Sequence, residues 1–240
     1  MNTLKTYHVL FSNRPPANLP PLVIKSSFTY DPIKRVEFIK FLGVYFDHTL
    51  TFKHHISHIT SRLASLSSLF YRVKDFAPEF ALKSMYHAHV STILNYCNII
   101  WSNTFDSHLL PLIRIQKRIV RNIVRADFLA HTRPIFNRLK ILDFNGTRKQ
   151  HLALYFFKNR VNIIHPLLAN HNYPTRARNV LRPPIHNNTL FEKSFIYKAP
   201  QFWNSVSDRF PLDTLDNISE SQFKRQMKLL LLNLQAELPD

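Results

Sequence analysis

Residues 106–125 read DSHLLPLIRIQKRIVRNIVR, and the order of apolar and basic residues in this stretch decides the fold class. Leu109, Leu112, Ile115, Ile119 and Ile123 recur at steps of three and four, the repeat of one face of an α-helix. Arg114, Lys117, Arg118, Arg121 and Arg125 fall between them and gather on the opposite face. The spacing predicts a helix from about Asp106 to Val124, apolar inward and basic outward.

The same period extends in both directions. Phe52, Ile56, Ile59, Leu63, Leu66, Phe70 and Val73 form the stripe of a long amphipathic helix from Thr51. Pro78 suits the first turn of a second helix, with Phe80, Met85, Val90, Ile93, Tyr96 and Ile100 expected inward. Shorter helices are expected at 132–140 and 147–164. A last helix from about Ser219 to Glu237 carries Phe223, Met227, Leu230, Leu231 and Leu234, with Ser219 placed to cap it. Residues 166–212, rich in Pro, Asn and aromatics, are expected to be irregular with a short hairpin.

Upstream of Asp47 the period drops from helical to two. Tyr7–Phe11, Leu22–Phe28 and Val36–Phe46 read as three strands, the last two joined by a turn at Tyr30-Asp31-Pro32. Pro15, Pro16, Pro20 and Pro21 enforce an extended loop between the first two. The expected architecture is mainly α: a small N-terminal antiparallel β-sheet over 1–47, a helical bundle over 48–165, and a C-terminal extension over 166–240 that ends in a helix. Composition agrees. Two glycines in 240 residues, against a usual share of about 7%, leave few positions for tight turns, and 15 prolines supply the breaks.

Charge narrows the partners. There are 32 Lys+Arg against 15 Asp+Glu, a formal net charge of +17. Ser107 to Phe191 carries 15 of those cations and only Asp127 and Asp143 as acids. Such a field attracts polyanions, and nucleic acid is favoured over a merely solubilising surface or a membrane. No apolar run reaches the ~20 residues of a membrane span, the first residues lack a secretory h-region, and the one cysteine, Cys97, has no internal partner. The expected place is intracellular, nuclear or cytoplasmic.

No catalytic constellation emerges. His54 and His58 have the i,i+4 spacing of some zinc pairs but no third ligand, so a polar helix face is the favoured reading and no metal is assigned. Cys97 reads as a small buried hydrophobe. Carboxylates are scattered, with Asp213 and Asp216 placed as turn residues, so no pair stands ready to hold Mg²⁺. A second basic cluster, Arg176, Arg178 and Arg182 beside Tyr173, suits phosphates and a stacked base. Tyr197, Phe202 and Trp203 are expected to pack their segment onto the helices.

Several segments, in order, resemble the C-terminal half of jockey-type LINE (non-LTR) retrotransposon reverse transcriptases. Asn2, Lys5 and Thr6 before Tyr7–Ser12 resemble the family's Asn-x-x-Lys-Thr strand at the palm edge, and Phe41-Leu42-Gly43-Val44 its primer-grip hairpin. Leu50, Phe52, His55 and Ile56 resemble the entry to the thumb; Tyr86, Leu94, Tyr96 and Trp101 resemble the next helix. Gln116-Lys117-Arg118 with Arg121 resembles its Gln-Lys-Arg-x-x-Arg helix. Tyr173, Thr175 and Arg176 resemble its Tyr-x-Thr-Arg, and Phe195, Tyr197, Pro200, Trp203, Asn204 and Ser205 its aromatic motif. Phe223, Lys224 and Arg225 fit the closing helix.

The family's fingers, its acidic palm pair and its usual endonuclease domain have no counterpart here. The resemblance therefore implies a fragment with palm edge, primer grip, thumb and C-terminal extension. It places Phe41, Leu42 and Gly43 near a primer end and Lys5 near an incoming nucleotide. The expected role is clamping an RNA or RNA/DNA template–primer duplex, with no catalysis by this chain alone, no small-molecule substrate, and Mg²⁺ needed only by the intact parent polymerase. The alternatives are a helical interaction module that meets a protein through the exposed palm-edge sheet, and a non-functional remnant of a decayed element.

Overall fold

Two long helices form the spine of the computed structural model of the chain. It describes residues 6–12, 20–25, 30–160, 162, 181–187, 191–207, 209–210, 215 and 217–237. Helix α1 spans Lys53–Val73 and packs along α5, Asp106–Val124. Ile56, Ile59, Leu63 and Phe70 meet Leu109, Leu112, Ile119 and Ile123, all buried. Ile115, expected inward, is half-buried.

The expected second helix is broken into pieces. It runs as α2 (Glu79–Met85), a π-helical turn (Tyr86–Ser91), α3 (Thr92–Asn95), a break at Tyr96–Cys97, and α4 (Asn98–Trp101). Leu82, Tyr86, Val90, Leu94 and Trp101 are the buried residues, while Phe80, Tyr96 and Ile100 face solvent. Of the expected inward set, Val90 is buried and Met85 and Ile93 are partly so. The reason is geometric. A residue every four positions drifts about 40° per step around an α-helix, and the wider π turn takes that drift back. The inward stripe 82-86-90-94 therefore needs the π turn, and a strict 3.6 period misplaces it. Cys97 has φ 48° and is part-buried beside the first core.

Helix α6 (Thr132–Leu139) closes this first core with Ile135, Phe136 and Leu139. A second core lies between α7 (Phe144–Lys158), α8 (Phe195–Val206) and α9 (Glu220–Glu237). Phe156 stacks on Trp203 at 4.4 Å and Phe157 on Phe223 at 4.4 Å. Helix α7 starts earlier than the sequence pattern predicts, because Asp143 caps it by accepting from the Gly146 N–H at 2.6 Å. Ser219 accepts from the Gln222 N–H (3.3 Å) while the Gln222 side chain accepts from the Ser219 N–H (3.0 Å), a reciprocal capping box at the start of α9.

Helix α8 corrects the expectation of an irregular segment. Pro200 lies inside it, and the buried Ala199, Trp203 and Val206 carry the helical steps. Proline reads as a helix breaker, yet burial of Trp203 outweighs one missing hydrogen bond. Asn204 then binds the Leu181 main chain twice, accepting from its N–H (3.0 Å) and donating to its carbonyl (2.8 Å).

The N-terminal strands are short. β1 (Tyr7–His8) pairs in parallel with β4 (Lys34–Arg35), β2 (Val23–Lys25) antiparallel with β3 (Tyr30–Pro32), and β5 (Phe38–Phe41) antiparallel with β6 (Val44–Asp47). Two expectations are corrected. Tyr30–Pro32 is strand rather than turn, and Val36–Phe46 is a hairpin rather than one strand.

Candidate functional site

The β5–β6 hairpin is held from below by α1. Its two-residue turn has φ 44° at Leu42 and φ 83° at Gly43, the left-handed pair that suits the twist of a tight hairpin. Gly43 adopts this conformation freely, and a Cβ there would stand 3.3 Å from the Tyr96 ring. The Tyr96 hydroxyl donates to the Leu42 carbonyl at 2.6 Å, so the break after α3 props the turn. Above this support Phe41 and Leu42 are 62% and 74% exposed, an apolar tip presented to solvent.

The histidines of α1 are seats for the hairpin. Phe38 stacks on His54 at 4.5 Å, Tyr45 meets His58 edge-on at 5.2 Å, and the Tyr45 N–H donates weakly to His55 Nδ1 at 3.5 Å. His55 is buried against Trp101, and burial, with His58 adding, lowers its pKa from 6.5 to about 4. Asp47 completes the joint. Buried at the end of β6, its carboxylate accepts from the Thr51 N–H (2.7 Å), the Thr51 hydroxyl (2.9 Å) and the Lys53 N–H (3.0 Å). It thereby satisfies the start of α1, whose N-cap residue Phe52 has φ 56° and offers no capping side chain.

On α5 the five predicted cations divide. Arg114, Lys117 and Arg118 are exposed and make no side-chain hydrogen bond or ion pair among the described residues. Arg121 is half-buried. Its Nε donates to the Ala130 carbonyl at 2.8 Å and its guanidinium lies 6.0 Å from the Phe128 ring centre. Burial, and then the neighbouring Arg118, lower its pKa. Arg125 ends the helix with φ 55° and donates to the Ala77 carbonyl at 2.8 Å. Gln116 points the other way, buried, donating to the Tyr86 hydroxyl (2.9 Å) and the Leu142 carbonyl (3.3 Å). Burial raises the Tyr86 pKa, so the phenol stays neutral.

Arg182 is exposed beside the Leu181–Asn204 bridge. Lys5, Tyr173, Arg176 and Arg178 lie outside the described residues. The described structure thus groups two sets, the hairpin tip and the α5 face. Asp47, His55 and Tyr96 carry the support and were not among the sequence candidates; the helical N-terminus after Asp47-x-x-x-Thr51 is the signal for the first. Among the described residues no group of three or more His, Cys, Asp or Glu side chains could hold a metal ion. None of the described helices is long and apolar enough to cross a membrane.

Fold and surface together define a mainly helical chain with a small N-terminal sheet, an outward basic helix and a braced apolar hairpin tip. Such a chain is 25% identical over 206 residues to the Drosophila melanogaster protein described as "Probable RNA-directed DNA polymerase from transposon X-element". The match covers 83% of this chain and 21% of that protein, so the chain spans about a fifth of the length of the curated relative it matches. No family model matches the chain, and no solved structure matches it.

Proposed function

We propose that the chain is the C-terminal portion of a jockey-type non-LTR (LINE) reverse transcriptase. In this reading it joins a palm edge and primer grip (1–47) to a thumb (48–165) and a C-terminal extension (166–240). Its role is to hold an RNA or RNA/DNA template–primer duplex; by itself it catalyses nothing, and Mg²⁺ belongs to the intact polymerase. The observation that carries the reading is the outer face of α5, where Arg114, Lys117 and Arg118 stand exposed and uncommitted. Cations one helical turn apart meet successive phosphates and read no sequence. The similarity to a transposon polymerase supports the same assignment. The hairpin tip, Phe41-Leu42-Gly43, is the part of the palm edge that meets the primer end.

The test is binding of the purified chain to an RNA/DNA hybrid across a salt series. A steep linear fall of log K with log[salt], indifferent to sequence, is the expected result. A folded sample that binds no hybrid at low salt would overturn the clamp.

A second reading has its own observation. Tyr7 and Phe11, at or just after β1, and Leu22 and Val23, just before and at the start of β2, are 42–51% exposed, apolar side chains presented by two separate two-stranded sheets. A protein surface, such as the remainder of a palm, would cover them. Light scattering of the purified chain checks this: self-association lost on Phe11→Ser and Leu22→Ser supports it, and a monomer argues against it.

A further inference from the structure

Residues from the C-terminal parts of α1 and α5, with Ala126 and Phe128 beyond α5, line a groove of about 770 Å³. Four cations line it, Arg72 and Lys74 from the end of α1 and Arg118 and Arg121 from α5. Among the described residues no carboxylate lines it; Asp75, next to Lys74, and Asp127, between Ala126 and Phe128, are exposed outside it. Arg72 and Arg118 make no hydrogen bond or ion pair among the described residues, and Arg121 uses only its Nε. Two rings border the groove. Tyr71 is 63% exposed with Lys74 Nζ 4.5 Å from its centre, and Phe128 is 71% exposed beside Arg121.

Two polar side chains of the lining are buried. Ser67 and Asn122 line the groove at 2% and 9% exposure, and the Ser67 hydroxyl and the Asn122 amide nitrogen have no hydrogen-bond partner among the described residues. Ser61, Ser65 and Ser68 of the same helix each bond back to the carbonyl four residues earlier; Ser67 does not. Both atoms are closed to solvent, so they lie behind the surface of the groove and offer a ligand no hydrogen bond.

Cations and rings together select among ligands. A free phosphate would use the cations alone. A duplex buries its base faces inside the stack and leaves the rings without a partner. An acidic peptide answers the cations and leaves the rings idle. An unpaired nucleotide uses both, with phosphate on Arg and a π-face on an aromatic ring. The volume lies within the ordinary range for a small-ligand site. Arg118 belongs both to the outer face of α5 and to the groove, so a strand leaving a duplex on that face reaches the groove directly.

We propose that the α1–α5 groove binds the unpaired nucleotides of a single-stranded nucleic acid. Arg72, Arg118 and Arg121 hold its phosphates, and Tyr71 and Phe128 stack its bases. The proposal rests on the duplex clamp only for how the strand arrives, not for the site itself.

Fluorescence anisotropy of the full chain tests it with three probes: an oligouridylate and an oligodeoxythymidylate of roughly eight nucleotides, and a blunt RNA/DNA hybrid. Phe128→Ala, Tyr71→Ala and Arg72→Ala alter exposed side chains away from the outward face of α5. Loss of one stacked base weakens single-strand binding by roughly 5–100-fold. The expected result is a loss of that size with Phe128→Ala or Tyr71→Ala, a smaller one with Arg72→Ala, and hybrid affinity within about twofold of the parent. Comparing the two oligonucleotides assigns the strand to RNA or DNA. Unchanged single-strand binding in all three variants overturns the proposal. So does polyglutamate competing as well as an oligonucleotide of equal charge, since that means cations alone. If single strands bind through the rings while no variant or parent binds hybrid, the groove stands and the clamp falls.

Discussion

Acidification should loosen the hairpin from α1 through one buried imidazole. His55 is 5% exposed, with the Trp101 ring 5.5 Å away on one side and the Tyr45 main chain on another. Its pKa falls from 6.5 to about 4, first because burial strips water from the charged form, second because His58 is nearby. Above pH 6.5 the imidazole is neutral in both folded and unfolded chains, and the full stability is present. As pH falls below 6.5 the unfolded chain takes up a proton that the folded chain refuses until pH nears 4. The unfolded state then binds more protons, so stability drops with pH. Each pH unit in this window costs about 1.4 kcal/mol, which makes roughly 3 kcal/mol over the whole window. That is a large part of a net stability of about 5–15 kcal/mol. His55→Gln keeps a hydrogen-bond acceptor for the Tyr45 N–H and does not titrate. Urea unfolding followed by far-UV circular dichroism at pH 7.5 and 4.5 checks the effect. His87 and His151 are also held low by burial and by lysine neighbours, and they bend both profiles alike. The parent should lose about 2–3 kcal/mol more than the variant between those two pH values. Parallel losses in parent and variant would refute the buried neutral His55.

Arg114, Lys117 and Arg118 changed together to Ala should make the salt dependence of hybrid binding shallower by about three in log–log slope, with the circular dichroism spectrum unchanged. Arg125→Ala should move the slope little and lower the melting temperature, because its guanidinium ties the end of α5 to Ala77. Gly43→Ala should cost about 1–2 kcal/mol in chemical denaturation, since φ 83° strains any side chain and the new Cβ meets Tyr96. Asp47→Ala removes three hydrogen bonds from the start of α1 and should cost about 1–2 kcal/mol in the same assay. Trp203→Ala should empty the second core, cost about 3–5 kcal/mol and leave hybrid binding of the folded fraction intact.

The regular helices were legible because their signal is local. A 3.6 period over twenty residues set α5 to Asp106–Val124, and Ser219 as a capping residue marked the start of α9. The basic face of α5 was legible for the same reason, as neighbours on a helix surface are three or four apart in sequence. The β5–β6 hairpin was not legible from its pattern. A two-residue turn shifts the alternation by one residue, putting Ile39 and Phe41 on the face of Phe46 and Val44, and the run of apolar residues at Phe38, Leu42, Val44 and Phe46 hides that shift, so Val36–Phe46 reads as one strand. Helix α8 was hidden by Pro200, whose cost is local while the Trp203 stack that offsets it comes from α7, far away in sequence.

By itself, then, the sequence determined a mainly helical chain, the outward basic face of α5 and the place where strand period yields to helix period. Tertiary structure alone decided the π turn that keeps Leu82 to Leu94 in phase and the histidine seats beneath the hairpin. It also decided the groove that brings Arg72 beside Arg121. The division has one physical cause. Periodicity reports which face of an element is apolar, whereas the partners that make a site are chosen by packing between elements some fifty residues apart in the chain, and no local pattern encodes that choice.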